Sequence, residues 1–473
     1  MTAAPSTTHR FCCLGIIAVI GIALLSGISA KAATNVVNID GHKVIVSHFD
    51  GWGISLCWWA HVVGGYTNRE AYADLAFKQL GLNIVRYNIG GGENPARSNS
   101  MEFRARIPGF QPEPGKWDWS ADANQRWMLR AAVARGANHV VAFANSPPYW
   151  MTHSGSVTGA KNGADDNLRP EFEAPFADYL AIVVSNLTVL DKVRFDTVTP
   201  MNEPAAKWWE LGHRQEGTHM SVTQQQRVIN LLRPALDRHG VAATIVASED
   251  NDERSAYEAV SAYSPATLSN ISHIVTHTYN ANASEQLRQL AVRTGKPLWV
   301  SEYGDGDRSG LMLARRIRND IVEKHARAWI YWQFADNAGA WGLVNNRLDG
   351  RDTSYRLTRK FHVMAQFSRF IRPGCRILQA DDEDSLVAYD GTQSELIIVT
   401  VNDQRNSRTI TFQLNGVKTT ARDVLSYRTS QQEDVIRQPP SALKDGRFTV
   451  TLPARSVATF VIADVTLMPA RQN

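Results

Sequence analysis

Two glutamates each close a short apolar run: Glu203 in Thr199-Pro200-Met201-Asn202-Glu203-Pro204 and Glu302 in Trp299-Val300-Ser301-Glu302-Tyr303-Gly304. A carboxyl at the C-terminal end of a parallel strand points into the open face of a β/α barrel, where such barrels build their active sites. Two carboxyls facing each other there can cleave a glycosidic bond, one attacking the anomeric carbon while the other protonates the departing oxygen. Taken singly each motif is weak, because Asn-Glu-Pro arises by chance and many strands end in glutamate. Their register adds the weight. Two further strand and helix units fit between them, which makes their strands the fourth and the seventh.

The elements that must position the pair follow from periodicity. Apolar strand-like runs are expected at 50–56, 83–89, 139–145, 197–202, 244–249, 273–279, 297–302 and 327–334, with helical stretches such as 69–80, 121–135, 172–190, 222–239 and 311–325 between them. Eight alternating units predict an α/β fold with a closed (β/α)8 barrel, an open doubly wound sheet being the alternative. After Ile371 the helical period stops. Alternating runs at 385–389, 395–401, 408–414, 447–452 and 456–462, separated by Asp390-Gly391, Asn415-Gly416 and Asp445-Gly446, predict an antiparallel β-sandwich. Residues 35–47, with a turn at Asp40-Gly41, read as a hairpin that joins that sheet. The domains expected are therefore a hairpin over 33–48, a barrel over 49–370 and a sandwich over 371–473, packed without a flexible linker.

Residues 1–32 form a targeting segment. Arg10 precedes the apolar run 11–28, and Ala30-Lys31-Ala32 has the form of a secretory cleavage site, so secretion is expected; an uncleaved anchor is the alternative. No later run is expected to be long and apolar enough to cross a membrane. Cleavage after Ala32 removes Arg10 and Lys31 and no acid, which takes the balance from 50 basic against 46 acidic residues to 48 against 46, a net charge of +2. A nearly neutral chain with no basic stripe argues against nucleic acid or an anionic membrane as partner. Cys57 and Cys375 remain, either as free thiols or as one long-range bridge. Asp305-Gly306-Asp307 opens like a calcium loop, yet Arg316 stands where the closing glutamate belongs. Gly90-Gly91-Gly92 lacks the spacing of a phosphate loop, and no zinc pattern is present, so no cofactor and no metal are expected.

Several further motifs are similar to those of glycoside hydrolase family 30. These are Gly51-Trp52-Gly53, Arg86-Tyr87-Asn88-Ile89-Gly90-Gly91, Asn145-Ser146-Pro147-Pro148-Tyr149-Trp150-Met151, Asn202-Glu203-Pro204 with Gln215-Glu216-Gly217, Ser301-Glu302 and Leu452-Pro453-Ala454-Arg455-Ser456-Val457. The resemblance spans nearly the whole mature chain. It implies a barrel with an attached sandwich and a retaining mechanism, with Glu203 as acid/base and Glu302 as nucleophile. The Ser55-Leu56-Cys57-Trp58-Trp59-Ala60 run resembles the endo-β-1,6-galactanase subfamily.

Around that pair the expected supporting residues are Arg86, Asn202, Tyr279, Asn145 and His277. Arg86 would hold Glu302 ionised through a charge-assisted bond, as the matching family arginine does, or form a structural salt bridge. Asn202 would bind the sugar hydroxyl next to the reacting carbon, or cap backbone. Tyr279 would reach the nucleophile through its hydroxyl, and His277 reads equally as a ligand or a satisfied interior histidine. Trp332, Trp150 and Trp209 are expected to offer faces to sugar rings, although tryptophan is more often core. The leading function is a secreted retaining endo-glycosidase acting on β-1,6-linked galactan, such as decorates arabinogalactan proteins, and a monomer is expected. The alternatives are the same family acting on xylan, β-1,6-glucan or a glucosyl lipid, and a non-catalytic carbohydrate-binding protein. A phosphate-handling barrel is more distant, because Asp305 and Asp307 would repel that ligand.

Overall fold

The computed structural model describes residues 35–97, 100–280, 284–337 and 339–469. Residues 1–32, expected to direct secretion, lie outside them. Eight parallel strands close into a barrel: Gly51–Ser55, Ile84–Asn88, His139–Phe143, Thr197–Thr199, Thr244–Asp250, Ile271–His277, Leu298–Glu302 and Ala328–Tyr331. The first pairs with the second through Gly53 and Ile84 and with the eighth through Gly51 and Ala328, which completes the ring. All eight expected strands are present, and most end earlier than periodicity suggests. The fourth is shortest. Pro200 brings no N–H to the ladder, so pairing stops at Thr199 and Asn202 and Glu203 ride on the turn beyond.

Side chains alternate along these strands between a barrel interior and a helix-facing shell. Ile84, Val141, Val246, Val275, Trp299, Ala328 and Ile330 plug the interior. The shell includes Trp52, Ile54, Val85, Tyr87 and Val300, packed against the surrounding helices. Those helices fall close to expectation at Ala123–Ala134, Glu173–Asp191, Val222–Arg238 and Leu311–Val322. The stretch expected as one helix over 69–80 is α-helical over Arg69–Ala73 and then widens into a π-helix over Asp74–Gln79. One expectation about membranes is corrected: residues 170–191 are long and apolar enough to cross one by composition. In the fold this helix is a barrel layer, with Phe176, Leu180, Val183, Val184 and Leu187 fully buried.

The second domain is a nine-stranded, mostly antiparallel sheet. Its order is Ile436–Ala442, Asp423–Thr429, Ser456–Ile462, Glu395–Asn402, Ser385–Asp390, Arg376–Ala380, Asn35–Val46, Arg408–Asn415 and Arg447–Leu452. The two outer strands meet, so the sheet curls around its own core, where Phe412, Phe448 and Phe460 pack within 5.7 Å of one another. The N-terminal segment joins this sheet as expected, but it is not a hairpin. Asn35–Val46 is one strand, antiparallel to Arg376–Ala380 and parallel to Arg408–Asn415. Asp40 accepts a hydrogen bond from the His42 N–H at 2.9 Å, and the local turn becomes a bulge between the Asp40 and Val44 pairings instead of a reversal.

Period two also explains how the sheet grips the barrel. Along Glu395–Asn402, Leu396 and Ile398 enter the sheet's own core while Ile397, Val399 and Val401 join the barrel-side core. The sheet rests on the helices Leu311–Val322 and Arg359–Ser368. Thr459 Oγ1 donates to the Gln366 carbonyl at 2.7 Å, and Arg318 donates to the Asp382 carbonyl at 2.6 Å. Cys57 and Cys375 are free thiols, one beneath the open end of the barrel and one at this junction. Because the sheet takes an interior strand, the seventh of nine in its order, from residues 35–46, a chain cut after 372 leaves that strand unpaired and bares the apolar face. Residues 33–372 alone are expected to be insoluble, or to melt more than about 10 °C below the mature chain by differential scanning calorimetry. A soluble, fully active fragment with an unchanged melting temperature would show an independent module instead.

Candidate active site

Arg86 follows Ile84 by two residues on the same inward strand face, so its guanidinium enters the barrel just above the apolar plug. It is fully buried, and every neighbour it touches comes from a different strand end. Nη1 donates to Glu302 Oε2 at 2.6 Å and Ser55 Oγ at 3.2 Å; Nη2 donates to Asn202 Oδ1 at 2.7 Å and Glu249 Oε2 at 3.1 Å. The Phe143 ring lies beneath, 3.7 Å from Cζ. Tyr279 donates from its hydroxyl to Glu302 Oε1 at 2.8 Å, so both oxygens of this carboxylate are held.

Glu203 stands across the barrel mouth. Its Oε1 accepts from Asn251 Nδ2 at 2.7 Å and lies 3.2 Å from His277 Nδ1. The residue has φ +48°, a left-handed conformation that costs a non-glycine residue energy. Three contacts fix it: its N–H donates to the Glu249 carbonyl at 2.8 Å, and its carbonyl accepts from the Ala206 N–H at 3.0 Å and from Trp209 Nε1 at 3.1 Å. Trp209 fits only because residue 217 is glycine, where a Cβ would meet the indole at 2.1 Å. The Gln215-Glu216-Gly217 motif therefore seats the backbone of Glu203.

His277 completes the cluster. Its Nδ1 faces Glu203 at 3.2 Å and Glu302 at 3.6 Å, and its Nε2 faces Glu249 at 3.3 Å. Burial by itself would lower the imidazole pKa, but the Glu302 charge and the bonds to Glu203 and Glu249 overcome it and raise the pKa to about 10. Burial likewise disfavours charge on Glu249, yet Arg86, His277 and Ser301 hold that carboxyl below its ordinary range. Burial lifts the Glu302 carboxyl above its ordinary value, while His277, Arg86 and Tyr279 each favour its ionised form. Two cations thus face three carboxyls, and one carboxyl can carry a proton without leaving a charge unmatched. The nearest oxygens of Glu203 and Glu302 lie within 4.8 Å of each other, with His277 Nδ1 inside the same span. Glu203, His277 and Glu302 thus bring three atoms of metal-ligating type together.

A cavity of about 480 Å³ opens above the pair, lined by Asn202, Glu203, Asn251, Tyr279 and Glu302 on its floor and by Trp58, Arg104, Trp332, Gln333, Asp336 and Trp341 on one side. Of the residues expected from sequence, Glu203, Glu302, Asn202, Tyr279 and Trp332 line this cavity, and Arg86 and His277 lie immediately beneath them. Asn202 binds Arg86 and does not cap backbone. Asn145 lies deeper, donating to Asn88 Oδ1 at 3.2 Å. Two aromatic expectations are corrected. Trp150 packs edge-on against Phe172 with its Nε1 on the Gln111 carbonyl, and Trp209 is buried as the seat of Glu203, so neither faces the cavity. Glu249 was not singled out from sequence, although it is a third acid at the end of an apolar strand, the same signal that marked the other two. Asp305 and Asp307 do not form a calcium loop: Asp305 pairs with Lys360 Nζ at 2.5 Å, and Asp307 accepts from the N–H groups of Ser309 and Met312.

The O-glycosyl hydrolase family 30 model matches residues 33–294. The chain belongs to glycoside hydrolase family 30. It is 32% identical to an endo-beta-1,6-galactanase of Hypocrea rufa over 89% of this chain and 93% of the relative. It is 25% identical to an exo-beta-1,6-galactobiohydrolase of Bifidobacterium longum subsp. longum over 67% of this chain, matching 28% of that longer protein. Among solved structures, the family 30 subfamily 8 xylanase of Clostridium acetobutylicum superposes with a TM-score of 0.71 at 21% identity, covering 91% of this chain and all of that one. The shared architecture is the barrel with its attached sheet, and the protein is a glycosidase. The family 30 match ends with the last residue of the helix Ser284–Thr294, so the place of Glu302 rests on the geometry above.

Below the site, fully buried Glu216 accepts from the Gly91 N–H at 2.9 Å and from Asn88 Nδ2 at 3.3 Å. Burial raises its carboxyl pKa to about 8 despite both bonds. The folded state therefore favours the neutral acid, and the native protein loses stability as pH rises from about 4.5 toward 8, where the unfolded chain would already be ionised. Glu216→Gln removes that ionisation. The melting temperature of the variant relative to the parent is expected to climb between pH 5 and 8 at roughly 1.4 kcal/mol of relative stability per pH unit, and then level off. A difference independent of pH would show that Glu216 does not hold a proton in the folded protein.

Proposed function

We propose that this family 30 enzyme is a secreted, retaining endo-β-1,6-galactanase whose substrate is β-1,6-linked galactan of the kind that decorates arabinogalactan proteins. The observation that carries the linkage is the 32% identity, sustained over nearly the full length, to a protein named for that activity. The Bifidobacterium relative, named for the same β-1,6 linkage, supports it. Secretion is supported by the apolar run 11–28 and the Ala30-Lys31-Ala32 exit.

The carboxyl oxygens within 4.8 Å support retention. That approach suits the roughly 5 to 5.5 Å carboxyl separation of a double displacement better than the roughly 6.5 to 9.5 Å across which an inverting site holds a water. In the first step a Glu302 oxygen bonds to the anomeric carbon as the bond to the leaving oxygen breaks, and Glu203 gives that oxygen its proton. The product is a galactosyl ester of Glu302. Glu203, now ionised, takes a proton from water, whose oxygen attacks the same carbon; the ester bond breaks and Glu302 returns as a carboxylate. Arg86 has only donors, so Asn202 must turn its Oδ1 toward it. The amide NH₂ then faces the cavity, placed to donate to the hydroxyl beside the reacting carbon, a contact that tightens in the transition state.

Two outcomes are expected with purified mature enzyme. It should release reducing ends from β-1,6-galactan in preference to xylan or β-1,6-glucan, and proton NMR in the first minutes should show the β anomer. An initial α anomer would exclude the double displacement, and preference for another polysaccharide would exclude the galactan reading. Glu302→Gln should lose at least about a thousandfold in kcat on every substrate. Glu203→Ala should keep turning over an aryl glycoside with a good leaving group when azide is added, with a β-glycosyl azide as product. Rescue of neither variant, or an α azide, would overturn the two assignments.

A further inference from the structure

The wall of the cavity beside Glu302 carries two buried donors that the hydrolytic mechanism leaves unused. Trp58 follows the first barrel strand and Gln333 the eighth; these strands are paired, and the eighth also pairs with the seventh, which bears Glu302. Glu203 stands on the opposite side, after the fourth strand. In a double displacement the sugar that becomes bonded to the enzyme lies against the nucleophile, and the departing portion lies against the acid. The Trp58 and Gln333 wall therefore faces the retained sugar.

Both side chains line the cavity, and they are 3% and 1% exposed respectively. Trp58 Nε1 and Gln333 Nε2 nevertheless have no protein acceptor. Buried N–H groups are rarely left so, because an unmade bond forfeits the water it gave up. Gln333 is also not free to turn its amide over. Arg104 Nη1 donates to Gln333 Oε1 at 2.8 Å, and a guanidinium cannot accept, so the Nε2 donors must point away from Arg104. Arg104 is itself fixed by Asp336 Oδ1 at 2.9 Å and by Glu102 Oε2 at 3.0 Å. Trp58 is braced edge-on by Trp332, with ring centres 5.0 Å apart at 89°. These are rigid donors at set positions, the arrangement that discriminates most strongly among hydroxyl patterns.

We infer that Trp58 Nε1–H and Gln333 Nε2–H donate to ring hydroxyl oxygens of the retained sugar and so select its stereochemistry, with Arg104 and Asp336 acting as positioning residues for Gln333. The inference deepens the glycosidase reading and takes galactose as that sugar.

The test uses the full mature chain, Gln333→Met as the near-isosteric loss of the donor, and Trp58→Phe as an independent second variant. The substrates are the 4-nitrophenyl β-glycoside of β-1,6-galactobiose and its analogues lacking the 2-, 3- or 4-hydroxyl on the galactose next to the aryl group. Each variant is expected to lose about tenfold or more in kcat/KM on the parent substrate, with little change in melting temperature. At one hydroxyl, the penalty that wild type pays for deletion should vanish in the variant, since the partner is already gone. Penalties that simply add at all three hydroxyls in both variants, or an unchanged kcat/KM, would overturn the assignment. If wild type fails on the galactoside altogether, the galactan reading falls instead, and the same non-additivity is read on deoxy analogues of the glucoside or xyloside that it cleaves.

Discussion

A single buried arginine organises the open end of this barrel. Arg86 enters from the second strand and reaches Ser55 from the first, Asn202 after the fourth, Glu249 in the fifth and Glu302 at the end of the seventh. A guanidinium with no contact to water must have its charge matched close by, because the desolvation of an isolated ion is prohibitive. The burial that makes Arg86 costly is thus what places two carboxyls, Glu249 and Glu302, within hydrogen-bond reach of it. Closure of the barrel brings those groups within reach of one another, and the bifurcated donors of one side chain fix their relative placement to within a hydrogen-bond length.

His277 supplies the second cation. Arg86 and His277 set two positive groups against the carboxyls of Glu203, Glu249 and Glu302, which share His277 between them. The backbone contributes as well. Glu203 sits in a left-handed conformation that Glu249, Ala206 and Trp209 hold through three hydrogen bonds, so strain at this residue is stabilised by its surroundings. The sheet domain acts at longer range by covering the helices Leu311–Val322 and Arg359–Ser368, which flank the seventh and eighth strands.

Much of this was legible in the sequence, for identifiable reasons. The eight strands are buried on both faces and so read as short apolar runs between amphipathic helices, a pattern that survives without tertiary information. Glu203, Glu302, Arg86 and Tyr279 were visible because each is a polar residue ending or interrupting such a run. Glu249 carries the same mark but does not stand out, since nothing local distinguishes a carboxyl that will balance an arginine from one at an ordinary strand end. The sequence does not reveal that Trp150 and Trp209 turn away from the cavity, because which way an indole turns depends on loop packing, as the room left by Gly217 shows. The 35–46 segment misled for a related reason: Asp-Gly signals a turn, and only the partner strands from residues 376–380 and 408–415 decide whether the chain reverses or bulges.

We propose that Glu302, and not the neighbouring Glu249 or Glu203, bonds to the sugar. Glu249 shares Arg86 with it and is just as buried, but it does not line the cavity. The most direct measurement is inactivation by a β-1,6-galactobiosyl fluoride bearing fluorine in place of the 2-hydroxyl on the reacting sugar, followed by peptide mass spectrometry. Fluoride should leave as an ester forms, and the slowed second step should trap it as one label per chain on the peptide containing Glu302. A label on Glu203 or Glu249, or turnover of this substrate with no covalent adduct, would contradict the account.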